Sequence, residues 1–462
     1  MKLAELADKK VHFIGLGGAG MSGIARIMLA RGVSISGSDA KESTVLAGLQ
    51  TLGATVFVGH SASNLGDSEV LVVSSAIDDK NPEVLAAIEK GLEILTRAQA
   101  LAMLMSESKS IAVAGTHGKT TTTSMLTVAL QQAGLDPSFA IGGMINRGGT
   151  NAHLGSGEIF IAEADESDGS FLAYKPFGAI ITNIELDHVD HFPDLDSVYK
   201  IFVDFVNSIQ PGGFLVAGID SPGVVDLLSK VSRNDIEVIT YGEAADFSIS
   251  HISLQPTAAH ARITKLGKVL GELSLSIPGR HNVENATSAL AAGLKLGAPV
   301  ADLLTGLSSF SGAKRRFENK GSANGVTVID DYGHHPTEVR VTLETAKRFA
   351  GNGKVIVIFQ PHRYSRTAMF VSEFAEVLDI ADQIFLLEVY AASEAAIPGV
   401  SSILISNAMA SPKVKFEPSM IEVVNESVAM ANPGDVIITL GAGDVNLLVP
   451  MILQMLEDKI AD

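Results

Sequence analysis

The chain has no cysteine among its 462 residues. That excludes disulfides, thiolate metal sites and a cysteine nucleophile, and it fits a reducing compartment. Nor is there a run of about 18 apolar residues, as a membrane-spanning helix requires, and the N-terminus enters a strand pattern without a signal-peptide core. The compartment expected on these grounds is the cytosol, with no membrane insertion. Basic residues are scarce, 34 Lys and Arg against 52 Asp and Glu for a net charge of -18, which argues against broad nucleic-acid binding. Any polyanionic ligand must be met by local basic groups. No short-period repeat or low-complexity tract is visible. What is there, 46% apolar residues and 44 glycines in a chain too long for one core, is material for a multidomain α/β enzyme.

Three α/β blocks follow one another. Residues 1–107 open with a strand at Val11 to Ile14, a turn Gly15-Leu16-Gly17-Gly18-Ala19-Gly20, a helix, a strand at Val33 to Ser36, and Asp39 some 20 residues beyond the turn. This has the form of a dinucleotide fingerprint, but its physics is only that a pyrophosphate approaches the backbone at a helix N-terminus, which a UDP-sugar satisfies equally well. Strands at Thr55 to Val58 and Val70 to Ser74 complete a parallel pattern. Residues 108–318 carry strands at Ile111 to Ala114, Ile159 to Ala162, Gly178 to Thr182 and Phe214 to Ala217. Three further runs, Phe247 to Leu254, Ala259 to Thr264 and Val269 to Ile277, are separated by short turns and predict a small antiparallel sheet. The cluster Lys320 to Gly325 reads as a turn at a second boundary, and residues 319–462 repeat β-α-β with strands at Val326 to Ile329, Val355 to Phe359, Gln383 to Leu387 and Val436 to Leu440.

The chemistry concentrates in the second block. Gly115-Thr116-His117-Gly118-Lys119-Thr120-Thr121 lies between an apolar strand and a helix, a shortened form of the common phosphate loop. Backbone N–H groups and the helix N-terminus would face ATP phosphates, Lys119 would supply a mobile charge and the Thr120 hydroxyl would ligate Mg2+. Glu163, Asp165, Glu166 and Asp168 follow one strand, and Asn183, Glu185, Asp187 and His188 another, at the sheet edge where ligands bind. Carboxylates beside phosphate oxygens require metal between them, and hard oxygen donors with one imidazole suit Mg2+ or Mn2+. Thr120 and Glu163 are expected at one metal and His188 at another.

Gly15 to Ala25, Gly115 to Thr122, Glu163 to Phe171, Thr182 to Asp190, Gly279 to Ala286, Arg315 to Phe317, Asp330 to Glu338, Phe359 to Thr367 and Gly441 to Asp444 together resemble the Mur ligase superfamily across all three blocks. The resemblance implies an N-terminal Rossmann-like UDP-binding domain, a central P-loop ATPase-type domain and a C-terminal Rossmann-like domain that receives an amino acid. It assigns Gly17, Gly18, Ala19, Gly20, Ser38 and Asp39 to the UDP substrate. Residues Gly115 to Thr121, with Lys119 at the phosphates, His281, Asn282 and Asn285 at adenine, Asp331 at the ribose and Arg316 at the γ-phosphate, go to ATP. Tyr332, His334, Arg363 and Arg366 go to the amino acid and the transferred phosphoryl group. Lys119, Glu163, His188 and His334 are the expected catalytic residues; a free α-amino group is largely protonated near pH 7, and position and residue type make His334 the expected amine base.

The activity so implied is ATP-dependent amide formation between L-alanine and UDP-N-acetylmuramate through an acyl phosphate, giving ADP and phosphate, in peptidoglycan precursor synthesis. A related ligase joins a whole tripeptide to the same UDP-sugar and shares much of the motif set; the loop Glu388 to Glu394 resembles the alanine branch. Some family members carry a carbamylated lysine where this chain has Val203, and Lys200 nearby is not assigned that modification. Two readings of other classes remain: an NAD-dependent oxidoreductase, suggested by the first glycine turn and Asp39, and an ATP-driven switch protein. The expected oligomeric state is monomer or dimer.

Overall fold

The computed structural model describes residues 3–459 apart from residues 7, 75, 145–149 and 410. The first sheet comprises β1 (Lys10–Ile14), β2 (Ser34–Asp39), β3 (Thr55–Val58), β4 (Val70–Val73) and β5 (Glu93–Thr96), all parallel in the order 3-2-1-4-5. The order reverses beside β1, so the turn that leaves β1 opens at the switch point where α/β sheets bind ligands. β2 ends later than the expected Ser36 and carries Ser38 and Asp39 within it.

The second sheet contains β6 (Lys109–Ala114), β7 (Ser138–Ala140), β8 (Ala152–His153), β9 (Ile159–Glu163), β10 (Gly178–Ile181), β11 (Phe214–Gly218), β12 (Glu237–Gly242), β13 (Phe247–Leu254), β14 (Ala259–Lys265) and β15 (Lys268–Leu275) in the order 15-14-13-12-11-10-6-9-7-8. β6 lies between β10 and β9, parallel to both, so the phosphate loop leaves the sheet with an acidic strand end on either side. These central strands are buried on both faces, which is why they read as continuous apolar runs. The antiparallel trio β13–β15 continues the same sheet, because Tyr241 and Gly242 of β12 pair in parallel with Phe247 and Ser248 of β13. The helix Lys119–Gln132 packs on the helices Arg280–Lys295 and Val300–Ser309; a Cβ on Gly306 would lie 2.7 Å from Ala129 Cα, so only glycine permits this crossing.

The third sheet is β16 (Glu318–Ala323), β17 (Val326–Asp331), β18 (Val355–Phe359), β19 (Gln383–Leu386), β20 (Val414–Phe416) and β21 (Val436–Leu440), ordered 16-17-21-18-19-20. Only β16 is antiparallel. The expected turn at Lys320 to Gly325 is mostly this edge strand: the register slips between Asn319 and Gly321, with Gly321 at φ 135°, and the reversal is confined to Asn324 and Gly325. Lysine, glycine and serine are weak strand formers, but an edge strand with a bulge tolerates them.

The hydrophobic cores do not follow the sheets one for one. A single cluster joins Met21, Ile24 and Leu101 of the first unit to Ala152, Phe160 and Phe171 of the second, whereas the two faces of the third sheet have cores of their own.

Candidate functional site

Two glycines shape the phosphate loop. Gly115 has φ 129°, and a Cβ there would stand 2.1 Å from Thr182 Oγ1; Gly118, at φ 83°, would meet Asn285 Oδ1 at 2.6 Å. The segment after β10 straps the loop down: the Thr182 hydroxyl donates to the His117 carbonyl at 2.6 Å, and the His117 N–H donates to Asn183 Oδ1 at 2.8 Å. Lys119 Nζ donates to the carbonyls of Gly115 at 2.8 Å and Thr116 at 3.1 Å and to Glu166 at 3.0 Å. Burial alone would lower the Lys119 pKa, but Glu166 and Asp165 outweigh it and the ammonium is held above its usual range. Burial pushes the Glu166 carboxyl up to about 7 even with Lys119 beside it.

The expected metal donors stand on both sides of the loop. Thr120 Oγ1 donates to Glu163 Oε1 at 2.9 Å, and Glu163 Oε2 accepts from the Gly142 N–H at 2.8 Å. Across the loop, donor atoms of Asp165, Glu166 and His188 lie within 4.8 Å of one another. Burial, with Lys119 and Arg366 nearby, lowers the His188 pKa and keeps its imidazole available as a ligand. A hydroxyl, clustered carboxylates and one neutral imidazole are a donor set that fits Mg2+ or Mn2+.

A cavity of about 920 Å³ opens beside the loop. Its wall brings together His117, Gly118 and Thr121 with His281, Asn282, Asn285, Arg316 and Asp331, eight of the residues assigned above to ATP; Gly115, Thr116, Lys119 and Thr120 are not on it. Burial and the charges of Arg316 and Arg348 lower the His281 pKa to about 4, so its ring is neutral. Asp331 already accepts from the N–H groups of Phe317 and Gly333, each at 2.7 Å, which fixes the carboxylate at the cavity edge.

A second cavity, of about 330 Å³, runs from Gly18, Ala19 and Gly20 of the first unit to Glu163 and Asp165 of the second. Arg97 lines it and was missed in the sequence; a Cβ on Gly20 would lie 3.1 Å from its guanidinium. The only signal was the position of Arg97 directly after β5, at the ligand-binding edge of a parallel sheet. Gly17 is not on this wall: its N–H donates to Asp39 Oδ2 at 2.9 Å, so Asp39 fixes the turn itself. The assignment of Ser38 to substrate needs correction. Its side chain is fully buried and donates to Glu83 Oε2 at 2.5 Å, within a cluster that includes His12, His60 and Asn64. The strand period turns Ser38 inward, where it positions β2.

The third unit presents its residues against the strand ends of the second. Arg366, only 3% exposed, donates through Nε at 2.9 Å and Nη2 at 2.7 Å to Asp187 Oδ1. Burial would raise the Asp187 pKa, but Arg366 and then His188 hold it far below the carboxylate range. Arg363, with φ 72°, pairs with Asp190 and is more open to solvent. Of the two arginines expected at a substrate carboxylate, Arg363 is therefore the accessible one. Tyr332 lies under Arg315 and Arg316, at 5.0 Å and 5.4 Å from their guanidinium carbons.

The His334 expectation also changes. Its Nδ1 lies 3.1 Å from the Tyr332 carbonyl and donates to it, leaving Nε2 as an acceptor. Burial and the charge of Arg366 depress its pKa to about 3, so the ring is neutral but a weak proton acceptor. That suits holding an amine better than deprotonating one.

Family models match consecutive parts of the chain: the Mur ligase family catalytic domain at residues 10–109, the Mur ligase middle domain at 113–293, and the Mur ligase glutamate ligase domain at 315–443. The chain is 47% identical to the UDP-N-acetylmuramate--L-alanine ligase of Acidothermus cellulolyticus over 97% of its own length and 95% of that relative. To the protein of the same name from Renibacterium salmoninarum it is 48% identical, over 98% and 97%. Among solved structures, the UDP-N-acetylmuramate-alanine ligase of Thermotoga maritima superposes with a TM-score of 0.82 at 30% identity, covering 98% of this chain and 100% of that one. A murein peptide ligase from Psychrobacter arcticus gives 0.73 at 26% identity, covering 97% and 99%. The site geometry and these similarities lead to one conclusion: the chain belongs to the Mur ligase family.

Proposed function

We propose that this protein is an ATP-dependent ligase that joins L-alanine to UDP-N-acetylmuramate in peptidoglycan precursor synthesis. The observation that carries the reading is that two separate cavities border the phosphate loop and the helix after it: one is lined by His117, Gly118 and Thr121, the other by Glu163 and Asp165, and Thr120 bonds Glu163. A nucleotide in the first and a second anionic substrate in the second would be joined through that Thr120–Glu163 pair. The relatives of that name match nearly the whole chain, and the alanine ligase superposes better than the murein peptide ligase, which favours alanine over a larger peptide. No described helix is long and apolar enough to cross a membrane; we place the enzyme in the cytosol.

A carboxylate resists amine attack because its charge is delocalised and oxide is no leaving group. It must first take the γ-phosphoryl group of ATP and become an acyl phosphate. The phosphate loop and Lys119 hold the phosphates, Arg316 reaches the γ-phosphate from the boundary with the third unit, and Asn282 and Asn285 line the base pocket. Bound Mg2+, held by Thr120 and Glu163 with His188 serving a second ion, would neutralise phosphate charge. The Gly18 to Gly20 turn and Arg97 hold the UDP moiety. Arg363 binds the alanine carboxylate and His334 Nε2 accepts a hydrogen bond from its amine. Attack of the neutral amine on the acyl carbon gives a tetrahedral intermediate; its C–O bond to the phosphate breaks, and the departing phosphate carries off the proton that the new amide nitrogen gives up.

The test is phosphate release with purified protein. It must require UDP-N-acetylmuramate and L-alanine together and fall at least about a thousandfold in Lys119→Ala. Faster turnover with tripeptide than with L-alanine would transfer the assignment to the recycling ligases. Hydrolysis indifferent to both substrates would indicate a switch protein, and an NADH absorbance change an oxidoreductase.

A further inference from the structure

Beside the nucleotide cavity, and apart from the donors at Thr120, Glu163 and His188, the second and third units meet in a cluster of side chains to which the steps above give no role, although His117 belongs to the phosphate loop. His117 Nε2 lies 3.4 Å from Glu185 Oε2, and His335 Nδ1 lies 3.7 Å from the same oxygen. Donor atoms from all three residues fall within 4.8 Å of one another. Tetrahedral zinc bonds of about 2.0–2.1 Å separate neighbouring donors by roughly 3.4 Å, so two of these spacings already match a coordination sphere.

The far side of each imidazole is also arranged for a metal. His117 Nδ1 faces Glu338 Oε1 at 3.3 Å, and His335 Nε2 donates to the Leu186 carbonyl at 3.2 Å. A carboxylate or carbonyl behind the ring fixes the tautomer that turns the opposite nitrogen to a metal. The Thr337 hydroxyl donates to Glu185 Oε2 at 2.6 Å and orients that carboxylate. The Thr337 N–H approaches His335 Nδ1 at 3.3 Å, so this nitrogen carries a lone pair; that long contact is the one a metal would replace. Glu185 and Glu338, on opposite sides of His117, favour positive charge there, which a proton on Nε2 supplies until the metal ion displaces it. Two imidazoles and one carboxylate suit Zn2+ better than the harder Mg2+, and His117 and Glu185 lie on the cavity wall, where a fourth ligand has access.

We propose that His117, Glu185 and His335 form a binding site for Zn2+ or a similar borderline-soft divalent ion, and that the bound ion clasps the phosphate loop to the third unit. The site is distinct from the Mg2+ donors and does not depend on the identity of the amino-acid substrate.

The experiment uses the full chain, stripped of metal and titrated with Zn2+ against a chromophoric chelator, and then with Co2+ as a spectroscopic probe. The expected result is one Zn2+ per chain and an intense visible Co2+ absorption of the four-coordinate type. His335→Asn keeps an acceptor at the start of the helix Pro336–Ala350 and removes the imidazole; Glu185→Gln keeps the shape of that side chain. Each should weaken Zn2+ binding at least about tenfold and bleach the Co2+ band, with far-ultraviolet dichroism unchanged. Unaltered Zn2+ affinity in both variants, or a site lost in Glu163→Gln but retained in both, would overturn the assignment.

Discussion

The two junctions within this molecule are built from opposite materials. Between the first and second units the contact is chiefly apolar, with a hydrogen bond from the Asn151 amide to the Ala19 carbonyl: Met21 and Ile24 share a core with Ala152 and Phe160, and a Cβ on Gly23 would come within 3.1 Å of Ala152 Cβ. Between the second and third it is charged and hydrogen-bonded, through Arg366 with Asp187, Arg363 with Asp190, His117 with Glu338 and Thr337 with Glu185. Separating an apolar seam exposes surface that water does not welcome, whereas water and substrate anions can replace the partners of a polar one. The difference teaches where motion is permitted. On the roles proposed above, the sugar nucleotide would stay fixed relative to the phosphate loop, and the third unit would be the one free to move. The connection between the moving parts contains Arg315 and Phe317 at φ 57° and 47°, the sparsely populated backbone expected of a hinge under constraint.

The comparison can be broken most severely at the apolar seam. Ala152→Asp puts an unpaired carboxylate into the shared core, and urea denaturation should show a loss of about 3 kcal/mol or more, with the first two units unfolding separately. A single unchanged transition would mean that the seam contributes little. At the polar seam, Asp187→Asn leaves the buried Arg366 charge without its anion, which should cost about 3 kcal/mol, and alanine KM should rise more than ATP KM. Equal effects on both KM values would deny the third unit its separate role.

Alkali offers a milder test. The His117 pKa is raised to about 9 because Glu185 and Glu338 outweigh the burial that would lower it. A raised pKa means that its contribution is fully present below the unfolded value of about 6.5 and fades as pH climbs through 9. Protection from hydrogen exchange, corrected for the intrinsic pH dependence, should therefore fall near residues 335–338 above pH 9 while that of the helix Ala19–Ala30 does not, and His117→Gln should remove the difference. Glu185, lowered to about 2 chiefly because His117 and Thr337 overcome its burial, acts in the other direction: its contribution is present above the unfolded value near 4.5 and is lost as pH falls toward 2. The smallest expected change is Thr337→Val, which removes one hydrogen bond to a half-exposed carboxylate; about 1 kcal/mol should be lost, read as a lower denaturant midpoint for the third unit alone.

Most of this architecture could be read in the chain because central parallel strands are apolar throughout and their glycine turns mark the sheet edges. β6, β9, β18 and β21 are of that kind. β5, β7, β8, β12 and β20 escaped: all but β12 are only two to four residues long, and β12 begins with exposed Glu237 and Val238. Local motifs likewise marked the phosphate loop and the residues that gather around its cavity. They did not disclose which way a side chain faces. Ser38 follows the inward period of β2, and His334 loses its basicity to surroundings supplied by Arg366. The His117, Glu185 and His335 cluster joins residues far apart in the chain, which no window along it can see.

Lys119 pairs with Glu166, so a phosphate has to compete for that ammonium with a carboxylate of the protein's own. A visitor must present enough negative charge to win that ammonium away. A nucleoside, or a monophosphate that stops short of the lysine, gains nothing there, and selection for the triphosphate thus begins before the base is inspected.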